Sequence, residues 1–176
     1  MAKYVALLRG INVGTAKQVP MAALRQVCEG LGWRGVTTVL RSGSVVFDAD
    51  PAPEATALET ELEQVTGVSA RVLILSASEF TEVASANSLS AVSTDGSKLF
   101  TTFLSEAPGS IEVPDAAGLA PEQLQLGDRA VYQWFPEGST RSTVPRAFWS
   151  QFRGVVTARN ANTIARILTL LSEDGE

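Results

Sequence analysis

Val36-Thr37-Thr38-Val39-Leu40-Arg41-Ser42-Gly43-Ser44-Val45-Val46-Phe47 is the stretch that decides the fold. β-Branched residues crowd both of its ends, and such side chains favour the pleated, half-buried surface of a strand. Between the ends, Ser42-Gly43-Ser44 reads as a hairpin turn carrying the glycine that such turns prefer. Two adjacent antiparallel strands are therefore predicted here. Working outward toward the N-terminus, residues 21–31 have helical periodicity, with Pro20 suited to the helix start and Gly32 to its stop. Before that helix, residues 3–9 read as a strand through Tyr4-Val5-Ala6-Leu7-Leu8. Toward the C-terminus, Pro53 to Val65 reads as a second helix, with Leu58, Leu62 and Val65 on one stripe and Gly67 as its end. Arg71-Val72-Leu73-Ile74-Leu75 then forms a strand, and Ser78 is expected to cap a helix whose Phe80, Val83 and Ala84 face inward. The order is βαββαβ followed by a helix, the ferredoxin-like plan.

After a polar joint over residues 88–97, the same order can be read again. Leu99 to Leu104 is a strand, residues 115–120 suit a short helix or turn, and Gln123–Leu126 with Ala130–Phe135 make a hairpin over Gly127-Asp128. Pro145–Phe152 is helical, Val155–Ala158 is a strand, and Ile164–Leu171 is a final amphipathic helix. The expected fold is thus α+β, with two ferredoxin-like halves packed together over residues 1–90 and 97–176 and a C-terminal helix closing the second.

Composition narrows the chemistry. The chain has no histidine and one cysteine, so no internal disulfide, His-based triad or ordinary zinc ligand set is available. Cys28 falls at helical spacing with Leu24, Val27 and Leu31, which predicts burial rather than reactivity. No metal site and no cofactor is expected. No apolar run approaches the roughly 20 residues of a membrane span, and the N-terminal stretch lacks the form of a signal peptide, so a cytoplasmic protein is expected. Net charge is −5, which argues against a nucleic-acid partner. The charge is unevenly distributed, however. Residues 1–47 carry Lys3, Arg9, Lys17, Arg25, Arg34 and Arg41 against Glu29 alone, and residues 138–172 carry five arginines and no acid.

The ferredoxin-like topology brings the end of the first strand to the same sheet edge as the hairpin turn. Arg9, Gly10, Asn12 and Lys17 are thereby placed near Arg41, Ser42 and Ser44, with Arg71 at the start of the fourth strand close by. Gly10 and Gly14 allow close backbone approach, and guanidinium groups beside such a loop suit a carboxylate or phosphate. The competing reading is that Asn12 and Ser44 simply hydrogen-bond the loops to each other. A second constellation, Arg159-Asn160-Ala161-Asn162-Thr163, opens the last helix. Asn160 or Asn162 suits an N-cap, whereas Arg159 needs a partner because a cation is disfavoured at a helix N-terminus. Neither a P-loop, a dinucleotide-binding glycine pattern nor a nucleophile elbow is present. Arg41 to Phe47 resembles the third strand of RNA-recognition domains, but Phe47 is the single aromatic there that could stack on a base.

Leu7-Leu8-Arg9-Gly10-Ile11-Asn12-Val13-Gly14 and Val19-Pro20-Met21-Ala22, with Leu24-Arg25, resemble a bacterial family catalogued as domain of unknown function 1697. The resemblance continues through Ser42-Gly43, Val45 to Phe47, Lys98 to Leu104, and Thr157, Arg159, Asn160, Asn162 and Thr163. It implies a pair of ferredoxin-like halves and no established activity. The sequence departs from the family at Thr15, where glycine is common, at Arg41 and Ser44, where Gln and Asn are usual, at Ala161 in place of tryptophan, and at Ser88-Leu89 in place of a Pro-aromatic pair. The expected function is binding of a small anionic ligand, phosphate-bearing ligands included, at the Arg9–Asn12 loop. The alternatives are a non-catalytic interaction or homodimerisation module and, third, nucleic-acid binding by the basic ends.

Overall fold

The computed structural model describes residues 1–173. It divides into two units, one of Met1–Thr81 with the segment from Arg166 onward, the other of Glu82–Ala165. In the first unit the order is β1 (Ala2–Arg9), α1 (Met21–Gly30), β2 (Arg34–Val39), β3 (Ser44–Ala49), α2 (Ala55–Thr66) and β4 (Arg71–Ser76). The sheet order is β2-β3-β1-β4, and every neighbouring pair is antiparallel. This is the ferredoxin-like arrangement that the hairpin and its flanking helices predict.

Alternation along the strands places one set of side chains under the helices. Ala6 and Leu8 of β1, Val45 and Phe47 of β3 and Val72 of β4 share a core with Leu24, Val27 and Cys28 of α1 and Leu58 and Leu62 of α2. Trp33 stacks on Phe47 at 3.9 Å between ring centroids and 8° between planes, and Tyr4 lies on its other side at 5.9 Å. Phe47 is fully buried and so offers no platform for a nucleic-acid base. Cys28 is buried as expected, and burial pushes its thiol pKa up to about 12.

Two local expectations are corrected. The third helix, α3 (Ala77–Ser85), is capped by Ser76 rather than Ser78. Ser76 Oγ accepts from the Glu79 amide at 3.2 Å while Glu79 Oε2 accepts from the Ser76 amide at 2.8 Å. That reciprocal pair is a capping box, whose Ser-x-x-Glu spacing starts at Ser76. Val65, assigned to the inward stripe of α2, is 58% exposed, because the buried stripe ends at Leu62.

The second unit repeats the plan. Its elements are β5 (Leu99–Leu104), α4 (Ala116–Leu119), β6 (Gln123–Leu126), β7 (Ala130–Trp134), α5 (Arg146–Trp149) and β8 (Val156–Asn160). The sheet order β6-β7-β5-β8 matches that of the first, element for element. Leu104, Val131 and Phe148 form a small core joined by Leu124, Leu126, Trp149 and Phe152. The last helix, α6 (Ala161–Ser172), begins three residues earlier than its apolar periodicity indicates. Asn160 supplies the reason: its Oδ1 accepts from the Thr163 amide at 3.0 Å and starts the helix there.

Candidate functional site

Beyond Arg9 the chain leaves β1 through residues that reverse its direction repeatedly. Gly10, Asn12, Gly14 and Lys17 all have positive φ, at 89°, 52°, 60° and 54°. The Asn12 amide donates to the Lys17 carbonyl at 2.8 Å and Val13 bridges to Ala16, so residues 12–17 form a small projecting hairpin. Buried Ile11 and Val19 anchor its two ends, while Val13 to Gln18 are exposed.

Asn12 ties this loop to the β2–β3 turn. Its Nδ2 donates to the Val19 carbonyl at 3.1 Å and to the Arg41 carbonyl at 2.7 Å, and its Oδ1 accepts from the Val19 amide at 2.8 Å. Gln18 adds a second tie. Its Oε1 accepts from Arg41 Nη2 at 2.6 Å, and its Nε2 donates to the Gly14 carbonyl at 2.8 Å. From the turn, the Gly43 carbonyl accepts from the Leu8 amide at 2.9 Å. The local hydrogen-bonding reading therefore describes the Asn12 side chain. Ser44 is fully buried at the start of β3, opposite Leu7, and does not reach the exposed rim. Arg9, Lys17, Arg41 and Ser42 form that rim.

The rim is electropositive. Arg9 pairs in register with Arg71 across β1 and β4, and Lys17 and Arg41 follow on the adjoining loop and turn. Among these cations, Arg71 forms an ion pair with Glu59 at 3.4 Å. Glu59 also accepts from the Val72 amide at 2.9 Å, which fixes its position. Leu40 is the residue here that sequence reasoning missed. It has φ of 57° and is 59% exposed, an unusual backbone state for a bulky apolar side chain. Its periodicity as a strand residue concealed that it begins the turn.

Arg159, Asn160 and Asn162 belong to the other unit. Arg159 is 5% exposed and its Nη1 donates to Thr157 Oγ1 and to the Ala158 carbonyl, each at 2.8 Å. Burial lowers its pKa to about 10. Asn160 is the cap of α6, and Asn162 packs so closely on Gly96 that a side chain at 96 would collide with its amide. Capping and packing thus account for both asparagines. Among the described residues, no three His, Cys, Asp or Glu side chains are grouped to hold a metal ion.

The family model described as "Protein of unknown function (DUF1697)" matches residues 1–132. The chain belongs to this family. The matched span contains the whole Arg9–Ser44 corner, whereas the likeness at Thr157–Thr163 lies beyond it. The DUF1697 signature at Leu7–Gly14 has a physical reading: two buried strand residues, a left-handed glycine, a buried anchor, the Asn12 tie and a second left-handed glycine. The chain is similar to a solved structure titled as that of conserved bacterial protein SP0830 from Streptococcus pneumoniae. The TM-score is 0.64 at 24% identity, covering 97% of this chain and 99% of the other. That likeness shows the shared fold. No match is found among the curated proteins. No helix among the described residues is long and apolar enough to cross a membrane.

Proposed function

We propose that this DUF1697 member binds a small anionic ligand, with phosphate-bearing metabolites as the leading class, at the corner between the Arg9–Lys17 loop and the Leu40–Ser42 turn. The observation that carries the reading is the gathering of Arg9, Lys17, Arg41 and Arg71 at one sheet edge, where Glu59 pairs with Arg71. Such an excess of cations in a chain of net charge −5 forms a local attractor for an anion. The loop supporting it is pre-shaped by Asn12 and Gln18, so little ordering would accompany binding. Its single buried cysteine accords with a cytoplasmic location. The test is a thermal-shift panel of inorganic phosphate, nucleotides and sugar phosphates. The expected result is a raised melting temperature for phosphate-bearing members and loss of the shift in Arg9→Ala. Flat curves across the panel would overturn the proposal.

A second reading, an interaction or homodimerisation surface, is favoured by a different feature of the same corner. Val13 and Leu40, 63% and 59% exposed, adjoin in sequence the two residues of the Asn12–Arg41 hydrogen bond. Exposed apolar side chains on a rigid loop suit a protein partner. A stable dimer in sedimentation that dissociates in Val13→Ser, with no response to phosphate, would replace the first reading with this one.

A further inference from the structure

The β6–β7 hairpin turns through Gly127-Asp128-Arg129, and a cavity of about 370 Å³ separates this turn from residues 82–86 at the end of α3. Glu82, Val83, Gln125, Asp128, Arg129 and Tyr132 line it. Two anionic side chains and one cationic side chain therefore share a wall, and they are not paired with one another. Glu82, Asp128 and Arg129 take no part in the ion pairs found among the described residues. Arg129 Nε is enclosed and has no hydrogen-bond acceptor.

The frame around these charges is firm. Tyr132 Oη donates to the Val83 carbonyl at 2.6 Å in a buried bond that joins hairpin and helix end. Gly127 lies against the Tyr132 ring so tightly that a Cβ there would stand 2.9 Å from Cε2. Ser88 Oγ hydrogen-bonds Gln125 Oε1 and holds the β6 side of the wall. The cavity is thus built by packing, and its charges are left over from that packing.

We infer that this cavity binds a small zwitterion of the α-amino-acid type, with its carboxylate on the Arg129 guanidinium and its ammonium at Glu82 and Asp128. A guanidinium presents a planar fork of donors that matches a carboxylate. An ammonium group is favoured by the two carboxylates and by the negative end of α3. A ligand with one charge would be attracted by part of the wall and repelled by the rest, whereas a zwitterion answers both signs. The volume lies at the small end of ligand pockets, which span roughly 300–1,000 Å³. This inference is independent of the anion corner, since the lining residues all fall within the second unit.

The test is a titration of the full chain, labelled with nitrogen-15, using amino acids, their des-amino carboxylic acids and the matching primary amines. Amino acids are expected to shift the amides of Gly127 to Tyr132 and leave those of Gly10 to Gly14 unmoved. Arg129→Gln and Asp128→Asn are each expected to weaken binding by about tenfold or more, as loss of a charge-assisted contact would. Des-amino acids or amines that bind as tightly as the amino acid would overturn the inference. So would the absence of any shift at Gly127 to Tyr132 across the set. Should Arg129→Gln fail to fold, Asp128→Asn decides, because that side chain is exposed; unchanged affinity in it would overturn the inference equally.

Discussion

Asn12 Nδ2 stands 2.7 Å from the carbonyl oxygen of Arg41, 29 residues further along the chain, and this bond joins the exit of β1 to the β2–β3 turn. The same side chain exchanges two further bonds with the Val19 backbone. One amide thus serves both as the tie between two loops and as the residue whose left-handed backbone lets the first loop turn.

Asn12→Ala removes the three side-chain bonds and places an alanine at φ of 52°. With a net ~0.5–1.5 kcal/mol for each bond and ~1 kcal/mol for the backbone, the loss expected in urea denaturation is about 2.5–5.5 kcal/mol. Asn12→Gly keeps the backbone state and should lose less. Equal losses in the two variants would show that the backbone conformation plays no part.

Gly43 has φ of 87°, and a Cβ there would lie 2.7 Å from Ile11 Cδ1 and 3.0 Å from Leu8 Cβ. Gly43→Ala is expected to cost roughly 2–4 kcal/mol from overpacking together with backbone strain. Ile11→Val removes the colliding methyl. The double variant should therefore be more stable than the sum of the single effects implies, a coupling that a double-mutant cycle reads directly.

Phe47→Ala opens a cavity beneath Trp33 and beside Tyr4. Such truncations cost roughly 3–5 kcal/mol, and Phe47→Leu should cost clearly less. Trp33 is 7% exposed, so its fluorescence should shift to longer wavelength in the alanine variant and little in the leucine variant. An unshifted spectrum in Phe47→Ala would contradict the stacked pair.

Burial, with a smaller contribution from Glu29, raises the Cys28 thiol to about 12, and burial followed by Asp128 raises the Tyr132 phenol. Both folded values exceed the unfolded ones. Their contribution to stability is full below the unfolded values and is lost as pH rises through the folded values. Stability should accordingly decline from about pH 9 toward about pH 12 through Cys28, with Tyr132 adding its part above its ordinary value. Cys28→Ala should flatten the first portion of that decline. Native protein at pH 8 should also resist iodoacetamide, and alkylation as fast as in urea would count against the burial.

Much of the fold can be read along the chain because its determinants are local. Alternating β-branched residues, a glycine in the 42–44 segment and apolar residues three and four apart each act within a few positions, and both βαββαβ orders follow from them. The two boundary errors differ in origin. The late start of α6 follows apolar periodicity and Ser78 is a cap-type residue two positions too late, whereas the actual starts are set by side-chain bonds from Ser76 and Asn160. A capping box four residues long competes poorly with a periodic stripe in a sequence reading, yet it satisfies amides that the stripe does not touch.

By itself, then, the sequence determined the strand and helix order, the burial of Cys28, and the meeting of Arg9 with the 41–42 turn at one sheet edge, since topology alone forces that meeting. Tertiary structure decided what the side chains at that edge do. It committed Asn12 to three backbone groups, buried Ser44, exposed Leu40 and placed Arg159 beneath the surface. It also left Arg129 on the wall of a cavity with Glu82 and Asp128. Strand order depends on patterns that recur every two or four residues. The pairing of a polar side chain depends on which distant backbone group arrives within about 3 Å of it, and that is decided only when the whole chain has packed.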